Sequence, residues 1–527
     1  MADSYRLSSL KDRGSDILLK TANPSIYRLN SFRILELPVI AAPRDISSQI
    51  RKLDLSEKFG NNGAYERGPL YLNPSPNTET RQSAYQRLLD PESRLIDELF
   101  WFWPLRTDSP IEEDEALTAL LRNDISSAIS IWKQHEELAS ESYVSTHNLA
   151  ILYHTFALDL EYLETIQSLA QKQIEQKHTY WNKAYSIWQI LLKKDGFWQR
   201  LGQRIDELDD PRLTHSTGNR IKSEVPLVIS SINAQLAAQA AQKNNNTETL
   251  FHLNLLNNSR FDKVIIDDAL RRTVEPLRDR IKVLCANAEI EAKKSPEHAD
   301  KTARTLIKES NTFLNTIDKL LPDGHATRES VHDQIASQVL GCAVNSVNKT
   351  NDNEKSLKLA NSALAISVSA SVRQRIETNI ETMKNNLKYT TCWFCKVTRA
   401  SNKAIVSVNM YSNVSRESTW TGTKVHWQRL TVRVPRCENC KSIHDRTNLI
   451  IWLSVICGIV LAFLIGAMTN GWWGFLIFLI VTVTGAVLAP NLKPKEIEKQ
   501  KHKLLFPDVQ KLISQGWSVG DKPSGVN

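Results

Sequence analysis

Four cysteines in two tight pairs are the residues of this chain best suited to chemistry. Cys392-Trp-Phe-Cys395 and Cys437-Glu-Asn-Cys440 are both Cys-x-x-Cys knuckles, and each can present two thiolates to one tetrahedral ion. Zinc suits that ligand set best. A site closed by four sulfurs keeps no open coordination position, so the expected Zn2+ is structural and not catalytic. A redox Cys-x-x-Cys pair is the competing use of the same spacing. His444 and Asp445, just past the second knuckle, read as solvent-facing residues and not as ligands. Cys285, Cys342 and Cys457 stand alone and read as small buried hydrophobes. Seven cysteines in 527 residues suit a reducing compartment.

The knuckles need a scaffold, and the stretch between them alternates as strands do, from Ala404 to Met410 and from Val425 to Val434. A β-rich zinc ribbon is expected over residues 390–446. Immediately after it, Leu449 to Leu488 is almost continuously apolar, with Thr469, Asn470 and Gly471 as the main interruption. Each arm carries enough uncharged residues for a bilayer, whose hydrocarbon core takes about 20 residues of helix, or about 17 with local thinning. Trp452, Trp472 and Trp473 stand where interfacial aromatics belong. The segment 449–488 is therefore expected to be a two-helix transmembrane hairpin.

Orientation follows from the flanks, because basic residues close to a span stay on the cytoplasmic side. Arg436, Lys441 and Arg446 precede the hairpin, and Lys493, Lys495, Lys499, Lys501 and Lys503 follow it. Two spans with both termini cytoplasmic, in a bacterial inner membrane, is the expected location. The N-terminal stretch to Pro24 has no apolar signal-peptide core, and residues 1–27 are expected to be flexible. In the cytoplasmic tail, residues 491–527, Asp508 to Ser514 should form a short amphipathic helix closed by Gly516. Such a helix has two places to go, the bilayer surface or the ribbon.

The length exceeds what one hydrophobic core organises, so several domains are expected. With 41% hydrophobic and 24% charged residues, the membrane signal is local and the rest is of ordinary globular composition. From Pro110 to Leu387 apolar residues recur at three and four, which predicts a mainly α protein with helical regions at 110–241 and 250–387. The polar stretch from Gln242 to Thr249 is the expected break between them. Residues 116–133 read as two short helices about Asn123 and Asp124. Asn351 to Leu364 resembles the second helix of a tetratricopeptide repeat, although no strict period runs through the region, so a repeat array and a plain bundle both fit. Trp181, Trp188 and Trp198 read as core.

Three segments bear on function. Phe32-Arg-Ile-Leu-Glu-Leu-Pro38 is followed by Pro43-Arg-Asp-Ile-Ser-Ser-Gln-Ile-Arg-Lys-Leu53, and then by Ala84-Tyr-Gln-Arg-Leu-Leu-Asp-Pro-Glu-Ser-Arg-Leu95. Their order resembles the frame of a J-domain, and implies a small helical head over residues 28–105. The family acts on a DnaK-type ATPase through a His-Pro-Asp tripeptide, which this chain lacks: no histidine lies between Tyr27 and Pro104. The resemblance thus implies a docking fold without the trigger. Arg33, Arg44, Arg51 and Lys52 make a candidate basic docking face, with a solvated helix face as the plain alternative. The dense run from Leu99 to Pro104 reads mainly as packing, and any part left exposed would be a protein-binding patch.

No Walker-type phosphate loop, Gly-x-Ser-x-Gly elbow or His-Glu-x-x-His pair occurs, so an enzyme and a small-molecule substrate are not expected. The net charge of +8 is modest and concentrated beside the apolar segment, which favours anionic lipid over nucleic acid. The sum is a membrane-anchored protein-binding adaptor. A co-chaperone recruiting a DnaK-type chaperone to the membrane, and a zinc- or redox-responsive sensor, are the alternatives.

Overall fold

A computed structural model describes residues 17–58, 70–106, 111–138, 143–419, 422–468, 472–491 and 502–523. Residues 59–69, the turn at 469–471, the basic start of the tail at 492–501 and residues 1–16 of the expected flexible N-terminus lie outside them, whereas residues 17–27 depart from that expectation: Leu18, Ile26 and Tyr27 are buried in the core of the first unit. The chain is mainly helical with one small antiparallel sheet, and divides into two compact units. The first comprises residues up to Leu284 together with Lys308–His332, and the second Cys285–Ile307 together with the chain from Asp333 onward. The polar turn at 242–249 does not separate them. It is a tight connection inside the first unit, with Asn244 at φ 57° between two long helices.

The first unit opens with α1 (Ser31–Leu35), α2 (Pro43–Lys58), α3 (Thr78–Leu89) and α4 (Pro91–Leu99). Asp90 ends α3 and starts α4: its side chain accepts a hydrogen bond from Ser93 N at 2.9 Å, and Pro91 occupies the first helical position, where a missing N–H costs nothing. There follow α5 (Glu115–Leu121), α6 (Ile125–Leu138), α7 (Tyr143–Ile166), α8 (Gln171–Leu191), α9 (Asp195–Leu208), α10 (His215–Gln242) and α11 (Asn246–Asn257). Asn123, at φ 66°, makes the turn between α5 and α6 where the sequence predicts one.

The aromatic run is buried throughout, from Leu99 at 0% to Trp103 at 7% exposure, so no part of it is left as a patch. The reason is that α4 stops at Leu99. Beyond it the chain is no longer helical, and successive side chains can face different neighbours instead of sharing one helix face. Phe102 stacks on Trp132 with ring centroids 5.9 Å apart, and Trp103 stacks on Phe197 at 5.3 Å. Asn148 holds this segment from both sides, accepting from Trp103 N at 2.8 Å and donating to Trp103 O at 2.7 Å.

Two fully buried imidazoles sit among these rings. His147 Nε2 donates to Leu99 O at 2.7 Å, and His154 Nδ1 lies 2.9 Å from the Tyr27 hydroxyl. Burial brings His147 down to about 4 and His154 down to about 3, so both are neutral in the fold at pH 7. In the unfolded chain each takes up a proton near its ordinary value of about 6.5, while the folded protein refuses it until far lower pH. Stability is therefore complete above about pH 6.5 and lost as pH falls below it. At pH 5 the loss should be about 2 kcal/mol for each group, or about 4 kcal/mol together. Denaturation midpoints at pH 7.5 and pH 5 check this, and equal midpoints would show that neither imidazole is held neutral.

The two units share the helices α12 (Lys263–Lys294), α13 (Ala299–Leu320) and α14 (Ala326–Thr350) between them. The second continues with α15 (Asn353–Ile366) and α16 (Ala370–Thr390), then β1 (Val406–Thr419) and β2 (Gly422–Val434), α17 (Glu438–Met468), α18 (Trp472–Asn491), α19 (Pro507–Ser514) and β3 (Ser518–Val519). The strand order is β2-β1-β3. Val408 pairs with Val432 and Val406 with Val434, which puts the apolar alternation of both strands on one buried face. A bulge separates Ser412 from Ser415.

Where the sequence predicts two spans, one helix among the described residues has the length and apolarity to cross a membrane, Glu438–Leu464. The helix α18 packs along it. Gly458 allows the close approach, since a Cβ there would stand 3.1 Å from Thr482 Cγ2 and 3.2 Å from Phe478 Cδ2.

Candidate metal centre

The two knuckles arrive from different elements. Cys392 follows α16, and its turn is tied by Cys392 N to Thr398 O and Lys396 N to Cys392 O, both 2.9 Å. Lys396 takes the left-handed conformation, φ 56°, that closes such a turn. Cys437 and Cys440 open α17, where Cys440 N points at Cys437 Sγ from 3.4 Å. Trp393 N to Pro435 O at 2.9 Å and Ser401 N to Arg436 O at 3.0 Å lock the two knuckles together.

The result is one cluster of four sulfurs, all within 4.8 Å of one another. Cys395 Sγ and Cys437 Sγ are 3.9 Å apart. A tetrahedron of sulfurs about 2.3 Å from zinc has an edge of about 3.8 Å, so this separation is the one a bound ion requires and is far too long for a disulfide. Cys392, Cys437 and Cys440 are buried and Cys395 is half-buried. Burial raises the Cys392 thiol. At Cys395 burial acts in the same direction but is outweighed by the Thr398 and Val397 backbone N–H groups, which bring it down to about 6.

Phe394, Val408, Met410, Val432 and Val434 complete a small core around the cysteines, and Phe506 and Val509 of the tail belong to it. Of the two places open to the tail helix, it takes the ribbon. Tyr389 bonds Asp508, Gly520 N donates to Asn409 O at 2.9 Å, and β3 pairs with Met410 and Tyr411 of β1. That strand has only two residues, too short for any periodicity to announce it.

His444 is not one of the clustered groups, nor does it face solvent as expected. It is half-buried, 4.6 Å from the Phe394 ring, while Asp445 is exposed. Cys285 and Cys342 are buried, and burial takes both thiols up to about 11, as inert core thiols require. Cys457 departs from the expectation of burial: it is exposed along the apolar helix α17.

A second group that sequence reasoning did not assemble lies in the first unit, where Glu161, Glu248 and His252 have ligand atoms within 4.8 Å. The cation there is already part of the chain. Lys177, at 0% exposure, holds its ammonium 2.5 Å from Glu164, 2.9 Å from Glu248 and 3.4 Å from Glu161. His252 Nε2 is 3.3 Å from Glu161, and Trp181 Nε1 donates to the same carboxylate at 2.9 Å. Burial opposes charge on both Glu161 and Lys177, yet His252, ahead of Lys177 and Trp181, leaves the Glu161 carboxyl lowered, and the three carboxylates leave the ammonium raised.

No family model, no curated protein and no solved structure matches this chain. Its function is read from its own geometry.

The four basic residues singled out in the N-terminal hundred are not brought together as one face. Arg44, Arg51 and Lys52 are exposed on α2. Arg33 is not on that surface. It is 4% exposed and bound to both oxygens of Asp159 at 3.0 and 2.6 Å, with Leu70 O accepting from its Nε at 2.8 Å. The aspartate that neutralises it lies 126 residues along the chain, beyond the reach of local pattern.

Proposed function

We propose that the chain is a membrane-anchored adaptor that displays a helical protein-binding body on one side of a bilayer, with a structural zinc ribbon as the joint to its anchor. One observation carries the reading: Cys437 and Cys440 stand at the start of the continuous helix that runs apolar to Met468, so half of the metal cluster is carried by the candidate span itself. A metal-closed ribbon rooted on a spanning helix is how a soluble body is held at a membrane without a slack linker.

Two spans fit this arrangement. The chain leaves the ribbon in α17, continues in α18 packed alongside it, and the tail beyond packs on the same ribbon. A tail that packs on the ribbon from which α17 starts is what a hairpin that crosses and returns would allow, and the flanking lysines and arginines favour the cytoplasmic side. Zinc is assigned from four thiolates at tetrahedral spacing. The resemblance of residues 28–105 to a J-domain supports a docking role for the head, with Arg44, Arg51 and Lys52 as its exposed basic positions. Without the His-Pro-Asp tripeptide the head would bind and not stimulate an ATPase. The reading gives the chain no catalytic role.

The test has two parts. The full chain should stay in the membrane fraction through alkaline carbonate and leave it only with detergent; release by carbonate alone would end the anchored reading. The detergent-solubilised chain should then retain a reproducible protein partner from host extract. Retention of a DnaK-type chaperone, lost on Arg44→Glu with Arg51→Glu, would replace the adaptor by the co-chaperone, and no reproducible partner would remove both.

A further inference from the structure

The ribbon segment 390–446 carries ten Lys and Arg against three Asp and Glu, in a chain whose 66 basic and 58 acidic residues leave only +8 overall. Nearly all of the net charge therefore belongs to a small module beside the candidate span. Within it the charge is sorted by strand geometry. Alternate residues of a strand share a face, so Val425, Trp427, Arg429 and Arg433 of β2 project opposite to the buried Val432 and Val434. Directly paired residues of an antiparallel ladder also share a face, which adds Arg416, opposite Val425, and Tyr411, opposite Arg429. Arg416, Arg429 and Arg433 are exposed there, and Trp427 and Tyr411 are half-exposed.

No acidic residue of β1 or β2 falls on this face, because Glu417 pairs with Lys424 on the other one. Asp521 of the tail reaches it, 2.8 Å from Arg429. Arginine with tryptophan and tyrosine is the side-chain set of a headgroup layer, where the cations meet phosphate and the rings sit between polar and apolar phases. Reach is available. From Glu438 to Leu449 the helix rises by about 17 Å, and a strand of the length of β1 spans about 45 Å, so a ribbon leaning from its root can lie on the surface.

We propose that this face of the β1–β2 ribbon docks on the anionic phospholipid headgroups of the bilayer that its own helix α17 enters, which would give the body a second membrane contact and fix its tilt. The inference rests on the membrane-anchored reading, and its test separates the two. The full chain is reconstituted in nanodiscs of phosphatidylcholine alone or with phosphatidylglycerol, and amide hydrogen exchange is followed over residues 406–434 at low and at high salt. Anionic lipid should slow exchange over the outer ribbon, and salt near 0.5 M should abolish the difference.

Arg416→Glu with Arg433→Glu should reduce that lipid-dependent protection by about 25-fold, about fivefold for each arginine removed from a charged surface. Metal content and nanodisc insertion should be unchanged, which excludes a misfolded ribbon. A chain that inserts but exchanges identically in both lipids would overturn the docking and leave the anchor. Failure to insert would overturn the anchor itself. Protection produced by added RNA in neutral nanodiscs, and not by anionic lipid, would overturn the proposal in favour of nucleic acid.

Discussion

Cys437→Ser or Cys440→Ser should unfold the ribbon and release the C-terminal tail, while the first unit keeps its fold. The magnitudes decide this. A structural zinc contributes on the order of 10–16 kcal/mol to the folding of small domains that depend on it. Among the described residues the ribbon core is small: ten buried residues, of which three are the cysteines themselves and two, Phe506 and Val509, come from the tail, with seven partly buried hydrophobics against them. Burying a large apolar side chain gives only about 1.5–3 kcal/mol, against a backbone entropy of about 1–2 kcal/mol for every residue ordered. Such a core does not hold two 13- and 14-residue strands without its metal. Because Phe506 and Val509 pack into the same core as Cys392 and Cys440, the tail has nowhere to dock once the knuckles separate.

Elemental analysis should find one zinc per chain in the native protein and none in either variant. Hydrogen exchange should lose protection at β1, β2, α19 and β3 together and keep it in α7. Sheet amides that stay protected in a metal-free variant would refute a zinc-dependent ribbon. Cys285→Ser and Cys342→Ser are the controls, since both thiols lie outside the cluster and should leave metal content unchanged.

The second large effect is expected at Lys177. Its ammonium is completely buried among Glu161, Glu164 and Glu248. Lys177→Met fills much the same volume but leaves buried carboxylates facing one another. Removing one partner from a buried ion cluster costs about 3–5 kcal/mol, which is a large share of the stability of an ordinary domain. The exposed pair of Arg271 and Asp268, by contrast, should cost less than about 1 kcal/mol when broken. Adding Glu248→Gln to the Lys177→Met variant should recover part of the loss, because one of the opposed charges is gone. Denaturant midpoints of the native chain, both single variants and the double variant give the coupling directly. A Lys177→Met chain as stable as the native one would mean that the carboxylates take up protons at little cost, and that the ammonium is not what keeps them ionised.

Several features were legible in the chain because their causes are local. Two cysteines three residues apart present both sulfurs to one ion whatever the rest of the molecule does. Apolar recurrence at three and four specifies helix through the body, and the uncharged run after Leu449 specifies a helix suited to lipid by composition alone. The turn at Asn123 and the tail helix at Pro507–Ser514 followed from residue types at single positions. The expected division of the body at residues 242–249 did not hold, because a polar turn reports a change of chain direction and not whether the helices on either side pack together.

The remaining features belong to tertiary structure. Arg33 reads in sequence as one of four surface cations, and is instead withdrawn by a carboxylate 126 positions away. His178 and Glu248, 70 positions apart, border the cluster around Lys177 that no spacing foretells. The aromatic run could bury every ring only because α6, α7 and α9 bring Trp132, Asn148 and Phe197 to it. The tail had two surfaces open to it and took the ribbon, where Phe506 and Val509 meet the cysteine core. The physical reason is common to all four. A period or a spacing records what neighbouring residues require of the backbone, whereas the partner of a buried charge or ring is chosen by which distant surfaces the completed fold brings within a few ångströms.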